Sequence, residues 1–230
     1  MAFIGVQPAT VPLTSSDITD GIISTAKIAD DAVGNTKLDL SANYAFTGNV
    51  SGVSDLVSLA NTTISSSTSS VTASSSIINS TYDTYYVQFQ FDSVSDGDQL
   101  HGRFLQDGSN VFGSNYQYEL SAGGSSTYNG TNSDTHFEFD IGTNGNAAGE
   151  GPGGYLWIYN INNNDFPAAF AGMLNDHNSS GNHTGNSIFG TLKPANKADT
   201  VNGFKMFFGS NNIARGYFRV WGLKTWRDIK

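Results

Sequence analysis

From Tyr85 to Phe91 the chain alternates without a break. Tyr85, Val87, Phe89 and Phe91 fall on one side of an extended backbone, and Tyr86, Gln88 and Gln90 on the other. A helix would scatter these residues around its circumference, whereas a strand sorts them into a core face and a second face. The pattern returns at Tyr116, Tyr118 and Leu120, and again at Phe137, Phe139 and Ile141. Further strand candidates lie at 99–105, 154–161, 167–174, 187–193, 201–209 and 215–223, which makes about nine. Turn-forming clusters separate them, such as Asp96-Gly97-Asp98, Asp107-Gly108-Ser109 and Gly142-Thr143-Asn144-Gly145-Asn146. Many short strands punctuated in this way predict an all-β fold, with a jelly-roll-like β-sandwich head over 82–230. Composition agrees: charged residues are 13% of the chain and aromatics 12%, with the balance shifted to Gly, Ser, Thr and Asn.

Two strand candidates are apolar on both faces. In 154–159, Tyr155, Trp157 and Tyr159 form one face and Leu156 and Ile158 the other. In 215–221, Tyr217, Arg219 and Trp221 lie opposite Phe218 and Val220. An isolated antiparallel sandwich keeps one face of each sheet wet. Tyr155, Trp157, Tyr159, Tyr217, Arg219 and Trp221 are therefore candidates for a subunit interface, where Tyr, Trp and Arg concentrate. A strand central to a covered sheet would give the same pattern.

The first sixty residues differ. Ile18, Ile28 and Leu38 recur every ten residues, and the same step relates Asp20 to Asp30, Ile23 to Val33 and Lys27 to Lys37. Each unit carries only one or two aliphatic side chains and cannot bury them alone, so repeats of this kind gain stability by stacking or by winding around copies of themselves. Residues 15–60 are predicted to be an extended stalk in which Ile18, Ile22, Ile23, Ile28, Val33 and Leu38 of identical chains meet about a common axis. Residues 61–81 are about two thirds Ser and Thr and are expected to be stalk or linker. Ile64, Val71 and Ile78 recur there at intervals of seven, which fits a thin helical seam, while the poor helix propensity of Ser and Thr fits an extended stalk.

Charge and motifs narrow the function classes. The net charge is −9, with 8 of the 11 basic residues at or beyond Lys193. Such an acidic chain lacks the dominant basic field of a nucleic-acid binder, so no nucleic acid is expected as partner. The basic tail is suited to acidic protein surface or to an anionic polysaccharide. No apolar run is long enough to predict membrane insertion. Cysteine is absent, which removes thiolate metal sites and Cys nucleophiles. The opening Met1–Gly5 has no signal-peptide pattern, and synthesis in a cytoplasm is expected.

No cofactor is expected: Gly149-Glu150-Gly151-Pro152-Gly153-Gly154 lacks the Lys-Ser/Thr of a phosphate loop. His136, Glu138 and Asp140 share a strand face and suit either a metal, acid–base chemistry or solvent. Asp96-Gly97-Asp98 suits a turn or a calcium ligand pair. The polar segment holding His177 and His183 is expected to be a long exposed loop, open to a receptor. Glu119 and Glu138 are the one pair of glutamates that could act together on a glycan. The chain is nevertheless read as a structural protein and not an enzyme.

The segment Gly5-Val6-Gln7-Pro8-Ala9-Thr10-Val11-Pro12-Leu13-Thr14-Ser15-Ser16-Asp17-Ile18-Thr19-Asp20-Gly21-Ile22-Ile23 resembles N-termini common in virion proteins of marine podoviruses and cyanophages. Thr25-Ala26-Lys27-Ile28-Ala29-Asp30-Asp31-Ala32-Val33 is similar to a repeat in phage tail fibres, and Gly216-Tyr217-Phe218-Arg219-Val220-Trp221-Gly222-Leu223 to a strand that closes their β-rich heads. The resemblance implies a homotrimer that is part of the virion. It also implies attachment to other virion proteins through the N-terminus, and a head that contacts the host, for instance a surface glycan, or another virion protein. Residues 1–14, with Phe3, Ile4, Pro8, Val11 and Pro12, are the expected anchor. Host-range fibres often have a longer shaft, so a short tail fibre, a capsid fibre, a decoration protein and a tail adaptor all fit.

Overall fold

The structure is a computed structural model and describes residues 56–106, 112–122, 128–140, 144–161, 165–197 and 199–223. The expected anchor (Phe3, Ile4, Pro8, Val11, Pro12) and stalk residues (Ile18, Ile22, Ile23, Ile28, Val33, Leu38) lie outside the described residues, as do Lys224, Arg227 and Lys230. The described part is all-β, with two antiparallel sheets and no α-helix. Twelve strands follow in order: β1 (Leu56–Ile64), β2 (Val71–Ala73), β3 (Thr84–Ser93), β4 (Leu100–Leu105), β5 (Tyr116–Ala122), β6 (Tyr128–Asp134), β7 (Phe137–Glu138), β8 (Gly153–Tyr159), β9 (Ala169–His177), β10 (His183–Leu192), β11 (Gly203–Phe208) and β12 (Ile213–Leu223). The large sheet has the order β1-β12-β3-β8-β9-β10-β5-β6, and the small one β2-β11-β4-β7.

The alternation that predicts strands also sorts side chains as expected. On β3, Tyr85, Val87, Phe89 and Phe91 are fully buried, and Leu156 and Ile158 of β8 and Phe218 and Val220 of β12 join them. The two sheets are locked by aromatic edges: Phe170 of β9 meets Phe137 at 4.7 Å, Phe139 at 5.4 Å and Phe104 at 6.4 Å. Such edge-to-face pairs add roughly 0.5–1.5 kcal/mol each beyond area burial. Tyr116 of β5 bridges the layers with polar contacts too. Its hydroxyl donates to the Phe104 carbonyl at 2.8 Å and accepts from the Phe112 N–H at 3.3 Å. Burial pushes that hydroxyl's pKa up to about 12.

The Ser/Thr tract requires a correction. It is neither a helical seam nor a linker outside the head, and the folded unit begins before residue 82, within the stretch assigned to the stalk. β1 pairs with β12 from Leu56↔Leu223 to Ile64↔Gly216, and β2 pairs with β11. Ile64, Val71 and Ile78, spaced by seven, all reach the common core. Tyr85 holds the tract from below: its hydroxyl donates to the Asn79 carbonyl at 2.8 Å and accepts from the Asn79 N–H at 2.9 Å. Burial raises the pKa of this phenol.

One connection also differs from expectation, and one turn follows it. The His177–His183 segment is no long loop: β9 runs to His177, β10 starts at His183, and their rings pair at 5.5 Å. Asn178 Oδ1 closes the connection by accepting from the N–H groups of Ser180 and Asn182 at 3.0 and 2.9 Å. Gly181, at φ 74°, occupies the left-handed region that a side chain disfavours. In Asp96-Gly97-Asp98, Asp98 accepts from the N–H groups of Ser210 and Asn211 at 3.1 and 2.7 Å, and Asp96 from that of Asn146 at 2.7 Å. The carboxylates thus serve as turn caps.

Candidate functional site

The outer face of the large sheet is built by strand register. Trp221 of β12 lies opposite Tyr86 of β3, which lies opposite Trp157 of β8. The row continues through Ala171 of β9 to Phe189 of β10 and Glu119 of β5. A second row runs Arg219, Gln88, Tyr155, Met173 and Ser187. Rows of this kind form because directly opposed side chains share a face. Here they turn the face expected to be wet into an aromatic surface.

Tyr86 is the hub. Its ring centroid is 4.9 Å from Trp157, 5.5 Å from Trp221 and 6.0 Å from Tyr155. Burial among these rings raises the Tyr86 pKa, with Tyr155 and Tyr217 adding to the effect. Arg219 lies 4.4 Å over the Tyr217 ring, donates from Nε to Asn61 Oδ1 at 3.1 Å, and reaches Gln88 Oε1 at 3.5 Å. The guanidinium is thereby held flat on the sheet. Met173 and Phe189 are each 52% exposed and Tyr159 is 37% exposed, so the aromatic surface continues outward without cover from the described residues. The structure places Tyr155, Trp157, Tyr159, Tyr217, Arg219 and Trp221 on this one face. Sequence reasoning missed Tyr86, Met173 and Phe189. Tyr86 was legible as the second face of β3, but its neighbours were not, because they depend on register.

Beside this surface lies a shallow depression of about 300 Å³, lined among others by Tyr159, Phe189, Gln117, Glu119 and Asn132. Two ring-bearing side chains and several amide or carboxylate groups give it both apolar and hydrogen-bonding capacity. Glu119 and Glu138 do not face each other. Glu119 opens onto this depression, whereas Glu138 is hydrogen-bonded by Tyr118, the β5 neighbour that points to the opposite side. Loss of solvent at Tyr118, together with the Glu138 carboxylate, pushes the Tyr118 pKa up.

The trio on the predicted strand at 136–140 is divided. Asp140 is buried and accepts from the Leu100 N–H at 2.8 Å and from Asn144 Nδ2 at 3.1 Å. His136 and Glu138 instead meet His101 of β4, whose register partner is Glu138. The two imidazole centroids are 4.0 Å apart. Burial, followed by the proximity of His136, lowers the His101 pKa to about 4.

The glycine-rich stretch is a brace and not an anion loop. Gly149 and Gly151 donate their N–H groups to Asp92 at 3.2 and 3.1 Å, and Arg215 Nε pairs with the same carboxylate at 2.6 Å. A side chain at Gly151 would collide with the Phe91 carbonyl, so glycine is required there. No protein-family model, no curated protein and no solved structure matches the chain. No helix among the described residues is long and apolar enough to cross a membrane.

Proposed function

We propose that the chain is a structural virion protein of a tailed bacteriophage: a short homotrimeric fibre attached through its N-terminal segment, with a jelly-roll-like head that contacts the host surface. The observation that carries this reading is the aromatic outer face of the large sheet. A sheet face bearing Tyr86, Tyr155, Trp157, Met173 and Trp221 has the composition of a subunit contact, rich in Tyr, Trp and Met and poor in charge. In the trimer these faces turn toward one another. The depression at Tyr159 and Phe189 supplies stacking surface and polar groups of the kind that hold a sugar ring, and it is assigned to host glycan. Phe166, 60% exposed in the connection between β8 and β9, adds an aromatic ring in a loop of the head.

The same aromatic face supports a second reading, a capsid fibre, decoration protein or tail adaptor whose head packs only on neighbouring virion proteins. The test is the solution mass of the full chain by light scattering at micromolar concentration. The fibre reading expects three times the 24.5 kDa of one chain, and a single-chain mass overturns it. Repeating the measurement on residues 56–230 separates assembly by the head from assembly by the N-terminal repeat.

A further inference from the structure

On the small sheet two imidazoles and a carboxylate converge. One ligand atom from each of His101, His136 and Glu138 lies within 4.8 Å of the other two. A tetrahedral site with bonds of about 2.0–2.1 Å needs ligand atoms roughly 3.3 Å apart, a distance reached by small side-chain rotations. The strands already supply the convergence. His101 and Glu138 are register partners on β4 and β7, and His136 enters from the residue just before β7.

Three features mark the cluster as built for a ligand. First, His101 is nine-tenths buried and its Nε2 has no hydrogen-bond partner among the described residues, which is costly for a buried polar atom. Second, His136 Nδ1 lies 3.1 Å from Thr135 Oγ1 and 3.4 Å from the Asp134 carboxylate. A proton on Nδ1 directed at that carboxylate leaves the Nε2 lone pair for a metal, the arrangement by which an outer carboxylate orients a ligating histidine. Third, the Tyr118 hydroxyl is bonded to Glu138 and fixes that carboxylate in turn. His136 is 20% exposed, so the site opens to solvent on one side.

We propose that His101, His136 and Glu138 form a site for a divalent transition-metal ion of the zinc class, with the fourth position open to water or to an oxygen ligand from a partner. Two neutral imidazoles and one carboxylate suit Zn²⁺, while Ca²⁺ and Mg²⁺ require more oxygen ligands than the cluster offers. The charges that act on His101 are those of Asp98 and Asp134, which favour a cation, and of the Arg103 guanidinium, which disfavours one. Arg103 is held beside the cluster by its Nε bond to the Thr135 carbonyl at 3.0 Å and by the Phe207 ring, 4.8 Å from its guanidinium carbon, so its charge opposes the ion and the two carboxylates offset it. The ion gives β7 an anchor. That edge strand has only two register pairs, and coordination ties it to β4. The site stands independently of the virion reading.

The test is calorimetric titration of EDTA-stripped full-length protein with ZnCl₂, alongside thermal unfolding with and without the ion. Expected are one Zn²⁺ per chain and a raised melting temperature, with no such shift from CaCl₂. His136→Ala and Glu138→Gln each weaken binding at least tenfold, while His183→Ala, in the second histidine pair, leaves it unchanged. Unaltered far-UV circular dichroism of the two ligand variants in the absence of metal separates lost coordination from lost folding. Absence of Zn²⁺ binding, binding that survives His136→Ala, binding lost in His183→Ala, or an equal response to CaCl₂ overturns the assignment.

Discussion

The outer faces of the two sheets obey different rules. On the small sheet the rule of one wet face holds. Lys205 of β11 lies opposite Arg103 of β4, and Phe207 opposite His101, so two cations cover the Phe207 ring. On the large sheet the corresponding positions hold Trp221, Tyr86, Trp157 and Phe189. Both faces are built by the same period of two, and both cover the same core. The difference teaches that alternation identifies strands and locates the core but does not say what the second face meets. That information lies in the composition of the second face, read across strands.

Changes to the two faces and to the core between them should therefore behave differently. Phe104→Ala removes a fully buried ring that touches Phe137, Phe170 and Phe204, and it should cost roughly 3–5 kcal/mol in urea unfolding whichever face is considered. Acid should act through the small sheet. With the His101 pKa lowered to about 4 by burial, the unfolded chain binds the proton first as pH falls. Stability from this group is complete above about pH 6.5 and falls on the way to pH 4, by on the order of 2–3 kcal/mol. Urea midpoints of metal-free protein across that range should show the slope, and His101→Asn should remove it.

Trp157→Ser on the large face should cost the single-chain fold only about 1 kcal/mol, since Tyr86 keeps Trp221 and Tyr155 as neighbours. Its main effect should be on assembly, seen as a shift of the light-scattering mass from trimer toward single chain. The smallest effect belongs to Lys205→Ala on the wet face, within about 0.5 kcal/mol and without change in mass.

Each of the nine strand candidates of the sequence contains a β-strand, because each carries enough aromatic or branched residues to show its period, although the one at 137–141 is a strand only over Phe137–Glu138 and its Ile141 lies outside the described residues. Three strands were not legible. β2 is three residues long, β6 reads Tyr-Asn-Gly-Thr-Asn-Ser-Asp, and β1 runs into the Ser/Thr tract. Their identity comes from pairing: β1 and β2 pair with β12 and β11, more than a hundred residues away, which no local pattern encodes, and β6 pairs with the nearby β5 but lacks apolar alternation of its own. The seven-residue spacing of Ile64, Val71 and Ile78 misled for the same reason. It arises from the end of one strand, the start of the next and the turn after it, each dropping one side chain into a shared core. The residues of the aromatic face were legible, because two-faced apolar strands are visible in a single segment. The meeting of His101 with His136 was not, since it depends on the β4–β7 register.

The central claim is that the aromatic face of the large sheet is covered by neighbouring chains. Met173 measures this directly. It lies opposite Tyr155 on that face and is 52% exposed in the single chain, whereas Met206 is fully buried in the core. Peroxide oxidation of the full-length protein, followed residue by residue by mass spectrometry, reports the exposure of each sulfur. The account predicts that Met173 in the assembled protein oxidises nearly as slowly as Met206. Oxidation of Met173 at the rate of a solvent-exposed methionine would contradict it.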